Sequence, residues 1–175
     1  SRTAARGMFK GGLQDQSETT TRLHTATHLL QQALRVILGP QVRQKGSHIT
    51  AERLRFDFTH QNKLSPEQIK SVEILVNKQI QNNLPVSMEI LPLDVAISQE
   101  ALTVPDANYP EKVKVYSVGN FSKEFCGGPH VDFTGSLGEF KIIKEEAVGG
   151  STRRIYASLN YNVSNRQNSA EKRNS

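Results

Sequence analysis

Thr21-Arg22-Leu23-His24-Thr25-Ala26-Thr27-His28-Leu29-Leu30 carries two patterns at once. Leu23, Ala26, Leu30, Ala33, Leu34 and Ile37 recur at helical spacing and mark a face that packs on a core. His24 and His28 stand four residues apart, one helical turn, on a neighbouring face with Thr27 and Gln31. Two imidazoles so placed can grip one metal ion. Taken alone the spacing also fits a partly exposed helix surface. Far downstream, Cys126-Gly127-Gly128-Pro129-His130 contains the only cysteine of the chain. A tight Gly-Gly-Pro turn between Cys and His lets both reach one ion, so His24, His28, Cys126 and His130 can converge as a tetrahedral His3Cys set.

Outward from that helix, Gly39-Pro40 is a strong stop. Ser17 to Thr21 offers N-cap candidates, so the helix is expected over about 17–38, after an irregular lead-in over 1–16. Residues 41–49 and 53–58 read as a hairpin, with Leu54, Phe56 and Phe58 on one face. Gln44 sits in the first of these strands, where solvent exposure is its simplest role. Ser65-Pro66-Glu67-Gln68 opens a second helix that runs to about Asn82. Further strands are expected at 85–90, 113–118, 138–145 and 152–159, with a short helix at 94–100 and a loop at 103–110. Phe121 to Phe125 leads into the cysteine turn. From Asn160 the chain turns to Asn, Ser, Gln and Lys and reads as a disordered tail over 160–175. The sum is an α+β fold, two main helices packed on one face of a largely antiparallel sheet of roughly six strands.

With 175 residues, 36% hydrophobic and 22% charged, the chain supports one core-bearing domain, here 17–159. It has no apolar run that could cross a bilayer and no signal-peptide core. A single cysteine excludes an internal disulfide framework and fits a reducing, cytoplasmic setting. The formal charge of +5 is a mild bias towards a polyanionic partner. The first residue is Ser, so the chain reads as a processed or partial piece of something longer.

The chain resembles the editing domain of alanyl-tRNA synthetase, which also occurs in free-standing alanyl-tRNA editing proteins and, more distantly, in threonyl-tRNA synthetase. The residues that carry the resemblance are His24-Thr25-Ala26-Thr27-His28, Gln44-Lys45-Gly46-Ser47, Arg55-Phe56-Asp57-Phe58, Cys126-Gly127-Gly128-Pro129-His130-Val131, Gly138-Glu139-Phe140-Lys141-Ile142 and Arg153-Arg154-Ile155. The resemblance implies the fold of the threonyl/alanyl-tRNA synthetase second additional domain. It implies hydrolysis of the ester between tRNA(Ala) and a wrong amino acid, serine or glycine. It also implies Zn2+ on His24, His28, Cys126 and His130, and an editing pocket lined by Thr27 and Gln44. The catalytic candidates are then His24, Thr27, His28, Gln44 and Cys126. Pro129 departs from the alanyl pattern, which has Thr there, and residues 102–109 replace a usual Gly-rich segment. There is no room for the class II catalytic domain, so ATP-dependent ligation would need a separate or lost alanyl-tRNA synthetase catalytic domain.

A shell closed by four protein ligands suits a structural zinc, whereas hydrolytic zinc keeps a position open. Zinc that orients substrate and a histidine base without metal are both open. Arg43, Lys45, Lys141, Lys144, Arg153 and Arg154 are candidates for contact with tRNA phosphates. Two other readings are a non-catalytic, zinc-stabilised tRNA-binding module and a threonyl-type domain that removes serine from tRNA(Thr).

Overall fold

The computed structural model describes the backbone of residues 10–104 and 107–160, and their side chains from residue 18 onward. The first helix, α1 (Lys10–Leu38), buries Leu23, Ala26, Leu30, Ala33 and Leu34, with Ile37 packed at the margin of the core. It ends at Gly39, whose φ of 125° suits a residue without Cβ and whose N–H donates to the Arg35 carbonyl at 2.9 Å.

The helix begins at Lys10, which corrects the expected irregular segment over 10–16. Ser17 to Thr21 therefore lie inside the helix and not at its start. Leu13, Gln14, Gln16 and Glu18 are good helix formers with no proline among them, and adding a turn to an existing helix is far easier than starting one. The expectations for residues 1–9 and 161–175 fall outside the described residues, and Asn160 is the last residue of a strand.

The strands divide between two antiparallel sheets. Strands β1 (Gln44–Ile49) and β2 (Leu54–Thr59) form the expected hairpin, with a register shift between Gln44 and Gly46. The helix α2 (Pro66–Gln81) follows, opened by a capping box between Ser65 and Gln68. Strand β3 (Val86–Pro92), the short helix α3 (Leu93–Ser98), β4 (Lys112–Val118) and β5 (Ser122–Phe125) come next. The chain ends in the hairpin β6 (Glu139–Gly149) and β7 (Thr152–Asn160). The larger sheet has the order β1-β2-β7-β6 and the smaller β3-β4-β5.

Alternation places one face of the larger sheet inward. Leu54, Phe56, Phe58, Phe140, Ile142, Ile155 and Ala157 meet α1 and α2 there in the main core. A smaller core forms where Val113, Val115 and Phe125 pack with Ala96 and Ala101. In place of the expected single sheet of about six strands, the described residues form one sheet of four strands and one of three. Alternation says which face a strand buries and is silent about which neighbour it pairs with. Strand β5, with the turn after it, meets the histidine face of α1, and that junction forms the site.

Candidate metal centre

Cys126 Sγ lies 3.2 Å from His24 Nε2 and 3.3 Å from His130 Nε2. His28 completes the group, and the four candidate ligand atoms all lie within 4.8 Å of one another. Around a tetrahedral zinc with bonds of about 2.0–2.3 Å, donors stand roughly 3.3–3.8 Å apart. The set fits such an ion in donor type and number, and the separations of Cys126 from His24 and His130 are close to that spacing.

The protein also fixes how two of the rings present themselves. His24 Nδ1–H donates to the Pro129 carbonyl at 3.1 Å, which leaves Nε2 as a lone pair towards Cys126. His130 Nδ1 is 3.0 Å from Thr25 Oγ1. That hydroxyl donates to the Thr21 carbonyl at 3.2 Å and accepts from Val131 N–H at 3.1 Å. Its single proton being so used, it accepts from His130, whose Nε2 is then also a free donor atom. Such partners behind ligating imidazoles orient them and raise their basicity. His28 Nε2 lies 3.1 Å from Glu124 Oε2, while its Nδ1 is buried without a protein partner.

The turn requires a glycine at position 128. Gly128 has φ of 69°, and a Cβ there would stand 2.3 Å from the Tyr116 hydroxyl. Its N–H donates to Cys126 Sγ at 3.4 Å. The Gly128–Pro129 peptide is cis.

Burial dominates the electrostatics. It lowers the pKa of His24, against the opposing bond to the Pro129 carbonyl. Burial, then the charges of His130 and His24, hold His28 well below the usual imidazole range. Burial and His24 push His130 down to about 3. All three rings are therefore neutral at pH 7, the form that binds metal. Burial raises the Cys126 thiol, against the Gly128 N–H, with Glu124 adding to the rise. Burial alone pushes Glu124 up to about 8.

A cavity of about 630 Å³ opens beside the cluster. All five catalytic candidates, His24, Thr27, His28, Gln44 and Cys126, line it. Thr27 is 6% exposed, and its hydroxyl donates to the Leu23 carbonyl at 2.8 Å, so only its lone pairs face any ligand. Gln44 Nε2 donates to Ser47 Oγ at 3.2 Å. The loop expected at 103–110 contributes Val104, Ala107, Tyr109 and Pro110 to the wall.

The basic candidates separate. Arg153 is paired with Glu145, and Arg154 holds Asp57 through two bonds of 2.8 and 2.9 Å, so both guanidinium groups are engaged within the larger sheet. Lys144 pairs with Glu146 at 3.3 Å and lies over the Tyr156 ring. Lys45 and Lys141 are exposed, and Arg43 faces a different cleft. The residues that sequence reasoning missed are Glu124, Thr25, Lys112 and Lys114, the two lysines standing in the cavity wall. Glu124 was discoverable, because on a strand it shares a face with Cys126 two positions on. Thr25 gave no signal, since its partner is 105 positions away.

Residues 113–156 match the family described as the threonyl and alanyl tRNA synthetase second additional domain. The chain is 53% identical over 161 residues to the alanine–tRNA ligase of Treponema denticola, covering 92% of this chain and 27% of that protein. It is 54% identical over 159 residues to that of Treponema pallidum, covering 91% and 26%. Identity to the alanine–tRNA ligase of Petrotoga mobilis is 44% over 149 residues, covering 82% and 17%. The chain thus spans about a quarter of the length of the two Treponema relatives. Among the described residues, no helix is long and apolar enough to cross a membrane.

Proposed function

We propose that the chain, which is similar over most of its length to about a quarter of alanine–tRNA ligases, hydrolyses the ester of tRNA(Ala) charged with serine or glycine. The observation that carries this reading is the cavity of about 630 Å³ into which His24, His28 and Cys126 open, with Thr27 and Gln44 in the same wall. In the reaction, water adds to the ester carbonyl and the bond to the ribose oxygen breaks. The proton from water ends on that oxygen, leaving free amino acid and tRNA.

His24, His28, Cys126 and His130 would hold a zinc ion. Bound there, zinc supplies a Lewis acid that polarises a carbonyl oxygen. The chain's own residues supply position. The Pro129 carbonyl and the Thr25 hydroxyl hold the rings of His24 and His130. Thr27 offers a hydroxyl lone pair at the cavity wall, an acceptor for the hydroxyl by which serine differs from alanine. A site that rewards a hydroxyl can discriminate against the ligand lacking it, where size alone cannot. Pro129 serves the cluster through its backbone carbonyl, which a threonine would also provide, so the departure at 129 leaves the ligand set intact. Activation of alanine would fall to a separate catalytic domain, and the setting of such a reaction is the cytoplasm.

The test is deacylation by the purified chain of seryl-tRNA(Ala), glycyl-tRNA(Ala), alanyl-tRNA(Ala) and seryl-tRNA(Thr), with and without a chelator. Hydrolysis of the first two, lost with chelator and restored by zinc, is expected. A metal-loaded chain that binds tRNA and cleaves none of the esters is instead a binding module. Preference for seryl-tRNA(Thr) would assign the threonyl-type activity.

A further inference from the structure

A second cleft, of about 880 Å³, lies next to the cavity. Arg35 from the last turn of α1, Arg43 just before β1 and Lys123 of β5 line it. Arg35 is anchored, its Nη1 donating to the carbonyls of Pro40 at 2.9 Å and Val42 at 2.6 Å. Neither Arg35 nor Arg43 forms an ion pair among the described residues. They are near enough that the charge of Arg43, after burial, lowers the pKa of Arg35. Two like charges held together without a carboxylate repel one another, and an anion between them relieves that repulsion. Ser122, 6% exposed, lines the same cleft, and its hydroxyl is buried with no protein partner. Glu89 and Glu100 also line the cleft.

The position of the cleft matters as much as its charge. Arg43 lines the cleft and Gln44 the cavity. Thr103 lines the cleft and Val104 the cavity, and the same holds for Lys123 and Glu124. Neighbouring side chains of a strand point to opposite sides, so along Lys123–Glu124 of β5 the two hollows share a wall one chain thick.

We propose that this cleft holds a phosphate of the RNA strand whose aminoacylated end enters the cavity, between the guanidinium groups of Arg35 and Arg43. The identity of the strand rests on the proposed function, whereas the phosphate site does not. Arg43 is the residue to alter. Its side chain is exposed, and its contacts with Thr59 are made by its backbone, at 2.9 and 3.0 Å. Arg35 also supports the turn after α1, so its removal would mix folding with binding.

The experiment measures binding of uncharged tRNA to the whole chain by fluorescence anisotropy over a series of salt concentrations. For Arg43→Ala we expect weaker binding for tRNAs of any sequence, and a plot of log K against log salt that is shallower by about one unit. Lys70→Ala, an exposed residue of α2, should leave the slope unchanged. An Arg43→Ala slope equal to the parent's overturns the proposal. So does a result in which Arg43→Ala abolishes binding of inorganic phosphate while tRNA binding is unaltered, because the cleft is then a small-anion site. A chain that deacylates nothing, yet loses slope in Arg43→Ala, sinks the proposed hydrolysis and upholds the phosphate site.

Discussion

Replacing Thr25 by valine keeps the size and branching of the side chain and removes one oxygen. That oxygen is an acceptor for both His130 Nδ1–H and Val131 N–H, and the residue is fully buried in α1. The substitution leaves two donors without their partner. A fully buried orphan costs ~1–3 kcal/mol, but both of these bonds are only part-buried, so water recovers some of the loss. The expected loss of folding free energy is about 2 kcal/mol for the pair. At an m-value of roughly 2 kcal/mol/M, the urea midpoint of the metal-free protein should fall by about 1 M. Metal affinity should fall on the order of 10- to 100-fold, because His130 loses the partner that sets its tautomer and ring angle. Competition with a chromophoric chelator measures the second effect independently of the first. Thr25→Ser restores the hydroxyl and should recover most of the affinity. Wild-type metal affinity in Thr25→Val, or an equal loss in Thr25→Ser, would refute the assignment of Thr25 as the residue that positions His130.

Cys126→Ala removes the thiol that stands between His24 and His130, and elemental analysis should then find far less than one zinc per chain. Chelation of the parent protein should lower its Tm, since a ligand of the folded state stabilises it by mass action, and an unchanged Tm argues against a bound ion. Thr27→Val should reduce the preference for seryl over alanyl ester by ~0.5–1.5 kcal/mol. An unchanged ratio would leave Thr27 with only its bond to the Leu23 carbonyl and turn attention to Gln44. Asn77→Ala should cost ~1–3 kcal/mol in chemical denaturation, because the Asn77 amide pairs with both the N–H and the C=O of Phe140, at 2.8 and 2.9 Å, and ties α2 to β6. A cost near zero would mean that water replaces the amide.

Elements whose signals are local were legible in the sequence. The apolar stripe of α1, the alternation of Leu54, Phe56 and Phe58 and the cap at Ser65 each depend on a few neighbouring residues, and the structure has them as read. The convergence of His24, His28, Cys126 and His130 was legible because two pairs, each close in sequence, needed only one junction between them. The start of α1 was obscured by Gly11, Gly12 and a run of threonines, which look like a cap whether or not the helix passes through them. Arg153 and Arg154 looked like phosphate ligands, since Glu145 and Asp57 become their partners only when β6, β7 and β2 assemble. Glu124 was hidden by taking 121–125 as a lead-in. Once Ser122–Phe125 is a strand, the face that Glu124 shares with Cys126 follows.

The junction of α1 with β5 explains why a four-residue strand suffices to build the site. The two elements run in opposite directions: Cys126 meets His24, and Glu124, two residues earlier, meets His28, four residues later. Four helical residues advance about 6 Å and two strand residues about 6.8 Å, so the steps stay matched over a short length and then drift apart. Two residues before Glu124 on the strand stands Ser122, and three residues after His28 on the helix stands Gln31. Both have a buried oxygen without a protein partner, as does the Nδ1 of His28 beside them. Orphans of this kind are satisfied in folded proteins by ordered water. The seam between helix and strand thus carries polar side chains at His24, His28 and Gln31 on one side and at Cys126, Glu124 and Ser122 on the other. An apolar pairing at these positions would pack as well, but it would leave no donor atoms for an ion at one end and no hydroxyl for a phosphate at the other.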